Sequence, residues 1–327
     1  MKISLFKRQQ ANQNPLPKNL IVDAKALTEA SAIECYEWIG VGDEKAADQA
    51  AVTAMRRKFN EVDIDGTIVI GEGERDEAPM LFIGEKVGRG DFKVDIAVDP
   101  LEGTTICAHA LPGSIATLAF ATKGGFLHAP DVYMDKIAIG AGYPDGVVDL
   151  DNSAKQNVNS LAKAKKCDVS DLMVTILKRP RHDELIAKVR EAGARIQLIS
   201  DGDVAGVIAT SMPETTADMY MGQGGAPEGV LAAAALRCIG GQMQGRLIFR
   251  NEDEKKRAYS VGIKDLNKKY KLLDLASGDV IFSATGVTDG WFLDGVKYTK
   301  NFRCITHSVV MESSSQTINY LKTIHRL

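Results

Sequence analysis

Histidine and cysteine are both scarce, with five of each in 327 residues. The histidines, at 109, 128, 182, 307 and 325, form no HxxxH pair, which argues against a zinc site. The cysteines, at 35, 107, 167, 238 and 304, form no CxxC pair, which excludes ribbon-type metal and dithiol motifs. Scattered thiols of this kind fit a reducing, cytoplasmic setting. Aromatics are only 6%, too few for a stacking platform on single-stranded nucleic acid. The net charge of −3 supplies no basic field for nucleic acid. No apolar run reaches the ~18 residues that a membrane span needs. Residues 1–18 carry Lys2, Lys7, Arg8 and Lys18 but no apolar stretch, so they are not a secretory signal. With Asn12, Asn14, Pro15 and Pro17 they read as a flexible tail.

What remains is an ordinary globular chain, 45% hydrophobic and 25% charged, long enough for a sizeable core in one large or two smaller domains. Helices are expected over 24–39 and 46–59, with Asp48, Val52, Met55 and Phe59 on one apolar stripe of the second. Strands follow at 67–70 and 94–98, then 115–121 and 126–128 as a hairpin, and 137–139. Near residue 170 strands and helices begin to alternate: strands at 174–177, 195–199 and 218–221, helices at 183–192, 204–211 and 230–239. That alternation implies a parallel, layered second half. The charged stretch 252–275 reads as a helical surface excursion, 280–285 and 304–311 as closing strands, and 317–324 as a final helix. The class is α/β, with an α+β unit over 19–165 and an α/β unit over 166–327.

The chemistry concentrates at strand ends. Asp99-Pro100-Leu101-Glu102-Gly103-Thr104 follows the strand at 94–98, where open α/β folds place their sites. Two acids on a rigid turn can share one hard cation, and the Thr104 hydroxyl is placed to orient a water. Asp48, Glu72 and Glu228 are further acids beside glycine, proline or an apolar face. Singly, each suits a cap or turn. Together, in a chain with so few histidines, they point to Mg²⁺ or Mn²⁺. Acids alone would repel an anionic substrate, but bridging divalent ions reverse that. The run Lys178-Arg179-Pro180-Arg181-His182 is either a solvated loop or a clamp on a second phosphate. Asp201-Gly202-Asp203 reads as a helix cap by spacing, and Tyr133 as a half-buried tyrosine. The glycines at 222–225 fail the GxGxxG pattern, because Pro227 stands where it needs its last glycine.

These stretches, DGTIVIGEGERDEAPMLFIGEKVG (65–88), DIAVDPLEGTT (95–105), HAPDVYMDK (128–136), KRPRH (178–182), DGDVA (201–205) and GGAPEGV (224–230), resemble the class II fructose-1,6-bisphosphatases. These lie within the lithium-sensitive sugar and inositol phosphatases. The resemblance runs from about residue 28 to 325 and implies a layered αβαβα sugar-phosphatase fold. It implies Asp48, Glu72, Asp99, Glu102 and Glu228 as ligands of Mn²⁺ or Mg²⁺. Thr104 would orient the attacking water, and Glu102, Gly103 and Thr104 would line the reacting phosphate. Tyr133, Arg179, Pro180, Arg181, Asp201, Gly202, Asp203 and Gly225 would hold the sugar and its distal phosphate. The family's usual lysine after Gly42-Asp43 is replaced by Glu44, so Lys45 becomes the candidate by a one-residue shift.

The implied reaction is hydrolysis of fructose 1,6-bisphosphate to fructose 6-phosphate, in gluconeogenesis or carbon fixation, by a homodimer or homotetramer. The alternatives are a sedoheptulose 1,7-bisphosphatase or bifunctional enzyme, a phosphatase of a singly phosphorylated substrate, and a non-catalytic sugar-phosphate-binding regulator.

Overall fold

The computed structural model describes residues 15–72, 80–299 and 303–326. The first fourteen residues of the expected tail, and most of the acidic loop after Glu72, lie outside these. Leu16 is buried, and its N–H donates to Asp279 Oδ2 at 2.9 Å.

In chain order the helices are α1 (Leu20–Cys35), α2 (Glu44–Phe59), α3 (Thr104–Ala108), α4 (Ala154–Lys165), α5 (Asp183–Glu191), α6 (Asp203–Ile208), α7 (Ala226–Ile239), α8 (Glu252–Ser260) and α9 (Leu272–Leu275). The strands are β1 (Asp65–Ile70), β2 (Lys86–Val87), β3 (Lys93–Glu102), β4 (Ile115–Thr122), β5 (Tyr133–Ile139), β6 (Met173–Leu177) and β7 (Arg195–Ile199). They continue with β8 (Met219–Gly225), β9 (Gln242–Ile248), β10 (Lys269–Lys271), β11 (Val280–Gly286), β12 (Lys297–Thr299), β13 (Arg303–Glu312) and β14 (Thr317–Arg326).

Among the described residues the strands make two sheets. The first runs β12-β13-β11-β4-β3-β1-β2, with β14 on the free side of β13. The second runs β10-β9-β5-β8-β6-β7. The first sheet therefore takes strands from both sides of residue 165. The second recruits β5 from before it. In the second sheet β7, β6 and β8 are parallel, as their alternation with helices implies, whereas β5, β9 and β10 join antiparallel.

Burial stacks these elements in five layers. Leu20, Leu27, Met55 and Phe59 of α1 and α2 pack on one face of the first sheet, against Ile68, Ile96 and Phe120. Helices α6 and α7 lie between the sheets, joined to both faces through Val204, Val230, Phe282 and Met134. Val158 and Leu161 of α4 and Val189 of α5 cover the far face of the second sheet, against Ile137, Val174 and Ile176. Helix α7 is apolar nearly all round, with Ala232–Ala235 fully enclosed, as befits a helix with a sheet on either side. The layered αβαβα architecture is thus the one expected. No helix among the described residues is long and apolar enough to cross a membrane.

Three sequence expectations fail. Residues 317–324 are not a helix. They belong to β14, which pairs antiparallel with β13 along its whole length, from Thr317↔Glu312 to Arg326↔Arg303. Residues 126–128 form no strand beside β4; Phe126 makes one isolated bridge, to Ala276. The surface excursion at 252–275 is only partly helical: the short edge strand β10 stands between α8 and the single-turn α9. Strand β9, which no pattern had marked, fills the second sheet between β10 and β5.

Candidate functional site

Strand β3 carries the first pair of acids, and its geometry resolves a puzzle in their spacing. Side chains three apart on a regular strand point to opposite faces. Here the pairing with β4 slips: Asp99 is opposite Thr117, but Glu102 is opposite Ile115. Three steps on β3 answer two on β4, and such a bulge re-aims side chains. Pro100 and Leu101 absorb the extra residue. As a result the Glu102 charge bears directly on Asp99. Gly103, at φ +82°, then turns the chain into α3, whose first residue is the half-buried Thr104. Gly202, at φ +86°, makes the matching turn into α6. A side chain at either position would be strained.

The two turns touch. Glu102 Oε1 accepts the Val204 N–H at 2.5 Å, joining the end of β3 to the start of α6. Its other oxygen, Oε2, is buried without a hydrogen-bond partner, as is Asp203 Oδ1.

Around Glu102 the other acids gather. Burial pushes Glu72, just past β1, up to about 8, helped by the charges of Asp48, Glu228 and Asp131. Burial likewise holds Asp99 well above the usual carboxylate range, reinforced by Glu102, Glu72, Glu228 and Asp48. Glu102 is raised by burial, against the pull of the Val204 N–H, with Asp203, Asp201 and Glu228 adding repulsion. Burial raises Glu228, at the start of α7, and Lys136 opposes it. Asp48, half-buried on α2, is raised by burial too. These five carboxylates therefore lie in one another's field. Among the described residues no three acidic, histidine or cysteine side chains form a ready metal cage. The cluster shares a field rather than a finished coordination sphere.

Lys136 is the residue that sequence reasoning missed. It is 1% exposed, and its Nζ bonds the Asp203 carboxylate and, at 2.9 Å, the Gly225 carbonyl. The available signal was its place in β5: Met134, Lys136 and Ala138 alternate on the face turned to the central layer.

The other half of the site comes from the second sheet. Arg179, after β6, donates to the Ser200 carbonyl and approaches Asp201 Oδ1 at 3.4 Å. Arg181, beyond the exposed Pro180, donates from Nε and Nη2 to the Gln223 carbonyl at 3.2 and 2.8 Å. Its guanidinium lies 4.7 Å from the centre of the Tyr133 ring, and that of Arg250 lies 4.9 Å away, within cation–π range. Burial raises Asp201, Arg179 lowers it, and Glu44 is among the charges that raise it. Glu44 thus opens α2 within reach of this half of the site. Lys45 is exposed at the next position and makes no hydrogen bond or ion pair with the described residues. Gly225 precedes α7 with no room for a side chain: a Cβ would meet Glu228 Oε2 at 1.7 Å.

An all-oxygen donor set with raised carboxylates and an orphaned buried Oε2 suits a hard divalent cation. Beside it stand two arginines suited to phosphate oxygens.

Comparison with known proteins agrees with this chemistry. The family model described as bacterial fructose-1,6-bisphosphatase, glpX-encoded, matches residues 18–325. The class 2 fructose-1,6-bisphosphatase 1 of Escherichia coli K12 is 45% identical over 326 aligned residues, covering 95% of this chain and 96% of its own. A protein of Thermosynechococcus vestitus, named D-fructose 1,6-bisphosphatase class 2/sedoheptulose 1,7-bisphosphatase, is 44% identical, covering 91% of this chain and 93% of its own. With a match across nearly the whole chain, it belongs to the bacterial glpX-encoded fructose-1,6-bisphosphatase family.

Proposed function

We propose that this chain hydrolyses the 1-phosphate of fructose 1,6-bisphosphate, releasing fructose 6-phosphate and phosphate. The observation that carries this reading is the Glu102–Val204 bond, which ties the acidic cluster at the end of β3 to the start of α6, next to the Ser200 and Asp201 that Arg179 contacts. A sugar with phosphates at both ends matches that polarity.

Asp48, Glu72, Asp99, Glu102 and Glu228 are the residues to hold Mn²⁺ or Mg²⁺. Such an ion would supply a more acidic water and neutralise charge on the transferring phosphoryl group. The Thr104 hydroxyl orients the attacking water. The oxygen of that water bonds phosphorus as the ester P–O bond breaks, and a proton from the water ends on the departing sugar oxygen. Arg179 and Arg181 grip the 6-phosphate, so binding energy far from the reacting bond positions it. Asp201 and Asp203 accept hydrogen bonds from sugar hydroxyls. Tyr133 stacks beneath Arg181.

Sedoheptulose 1,7-bisphosphate is the second reading. It is favoured by the double name of the Thermosynechococcus relative.

The test is phosphate release from both sugars with Mn²⁺, Mg²⁺ or chelator, beside Glu102→Ala and Arg181→Ala. Metal-dependent release, lost in Glu102→Ala, supports the reading. Activity untouched by Arg181→Ala would instead mean a singly phosphorylated substrate. Binding without release would mean a regulator.

A further inference from the structure

His182 closes the loop that carries both arginines, and it is 2% exposed. Its Nδ1 lies 2.7 Å from the Leu177 carbonyl at the end of β6. Its Nε2 accepts the Gln223 N–H of β8 at 2.8 Å. An N–H can be met only by a lone pair, so Nε2 is unprotonated, and the ring proton sits on Nδ1, donated to Leu177. Both nitrogens are used, and the ring is neutral.

The carbonyl of the same Gln223 receives both bonds from Arg181. One residue of β8 is therefore held at its N–H by His182 and at its C=O by Arg181. Gly222, just before it, passes so close to the ring that a Cβ would stand 3.1 Å from Nε2.

We propose that neutral His182 is the positioning residue of the arginine clamp, and that protonating it loosens the grip on the substrate's distal phosphate. This rests on the function proposed above. A proton on Nε2 would set donor against donor at Gln223, breaking that bond and freeing the strand segment to which Arg181 is anchored. The groups facing the ring are mixed. Burial is the largest influence and lowers its titration from 6.5; the Leu177 bond raises it, Arg181 and Arg179 lower it, and Asp203 at the start of α6 raises it. The ring is thus neutral at physiological pH, and the loosening falls on the acid side.

The test measures KM and kcat for fructose 1,6-bisphosphate between about pH 5.5 and 8 in the wild type, His182→Leu and His182→Gln. Glutamine can place an acceptor oxygen near the Gln223 N–H and does not titrate. His182→Leu should raise KM about tenfold with kcat within about twofold. His182→Gln should bring KM back at neutral pH and lack the acid-side rise of the wild type. Parallel loss of kcat and KM in both variants, or identical acid limbs in wild type and His182→Gln, would overturn the proposal. If His182→Leu does not fold, the acid limb of His182→Gln decides. If the wild type releases no phosphate at all, the proposed substrate fails. His182 is then judged by calorimetric titration with inorganic phosphate: acid-side weakening confined to the wild type supports it, and matching curves or no binding reject it.

Discussion

The ammonium of Lys136 sits against the carboxylate of Asp203, both buried, with the Gly225 carbonyl as a third partner. A positive charge is thus fixed where β5, α6 and α7 meet, amid side chains of the opposite sign. Glu228 feels it directly.

Lys136→Met keeps the unbranched side chain to within one atom of its length and removes its charge. Asp203 is then left buried and unpaired, which costs about 3–5 kcal/mol of stability. Denaturant unfolding checks this, and adding Asp203→Asn should recover part of the loss. A single variant as stable as the wild type would mean that the pair contributes nothing.

Gly225→Ala tests the close approach at the start of α7. The new methyl would overlap Glu228 Oε2, forcing that carboxylate aside while the backbone, at φ −63°, tolerates alanine. Phosphate release should fall about a hundredfold or more with the circular dichroism spectrum unchanged. Retained activity would remove Glu228 from the working cluster.

The acidic cluster also sets a pH dependence. Glu72 ionises near 4.5 in the unfolded chain but near 8 in the fold. Between these values the folded state holds a proton that the unfolded state has released. The Glu72 contribution to stability is therefore fully present below about 4.5 and is lost as pH rises towards about 8. In chelator the melting midpoint should drop by several degrees between about pH 5 and 8, and excess Mn²⁺ or Mg²⁺ should abolish most of the drop. A midpoint that stays level in chelator would show that Glu72 is not held protonated.

The acids of the candidate site drew notice because they stand where acids are less expected: Glu72, Asp99, Glu102 and Glu228 beside glycine or proline, and Asp48 on the apolar stripe of α2. Their convergence was not legible. It depends on the bulge at Pro100 and Leu101, a pairing irregularity that takes two strands to define. Lys136 was hidden for a similar reason: a lysine in a strand reads as solvated until its partner, supplied by α6, is known. The mistaken helix at 317–324 is instructive in another way. Thr317, Ile318, Tyr320, Thr323 and Ile324 are residues that favour strands, but the segment's burial alternates only weakly, because it forms an edge. Its state is set by the long pairing with β13, a non-local contact that local pattern does not carry.

The first sheet has a consequence for how the protein is made. Its middle joins β4 to β11, which are separated by the whole second sheet in chain order. On a ribosome, β1, β3 and β4 emerge early and must wait for β11 to cover an apolar edge. Such long-range closure is slow and exposes unpaired strands meanwhile. The second sheet has no such delay beyond β10, so it can form while the nascent chain is still tethered, and the first sheet is completed last.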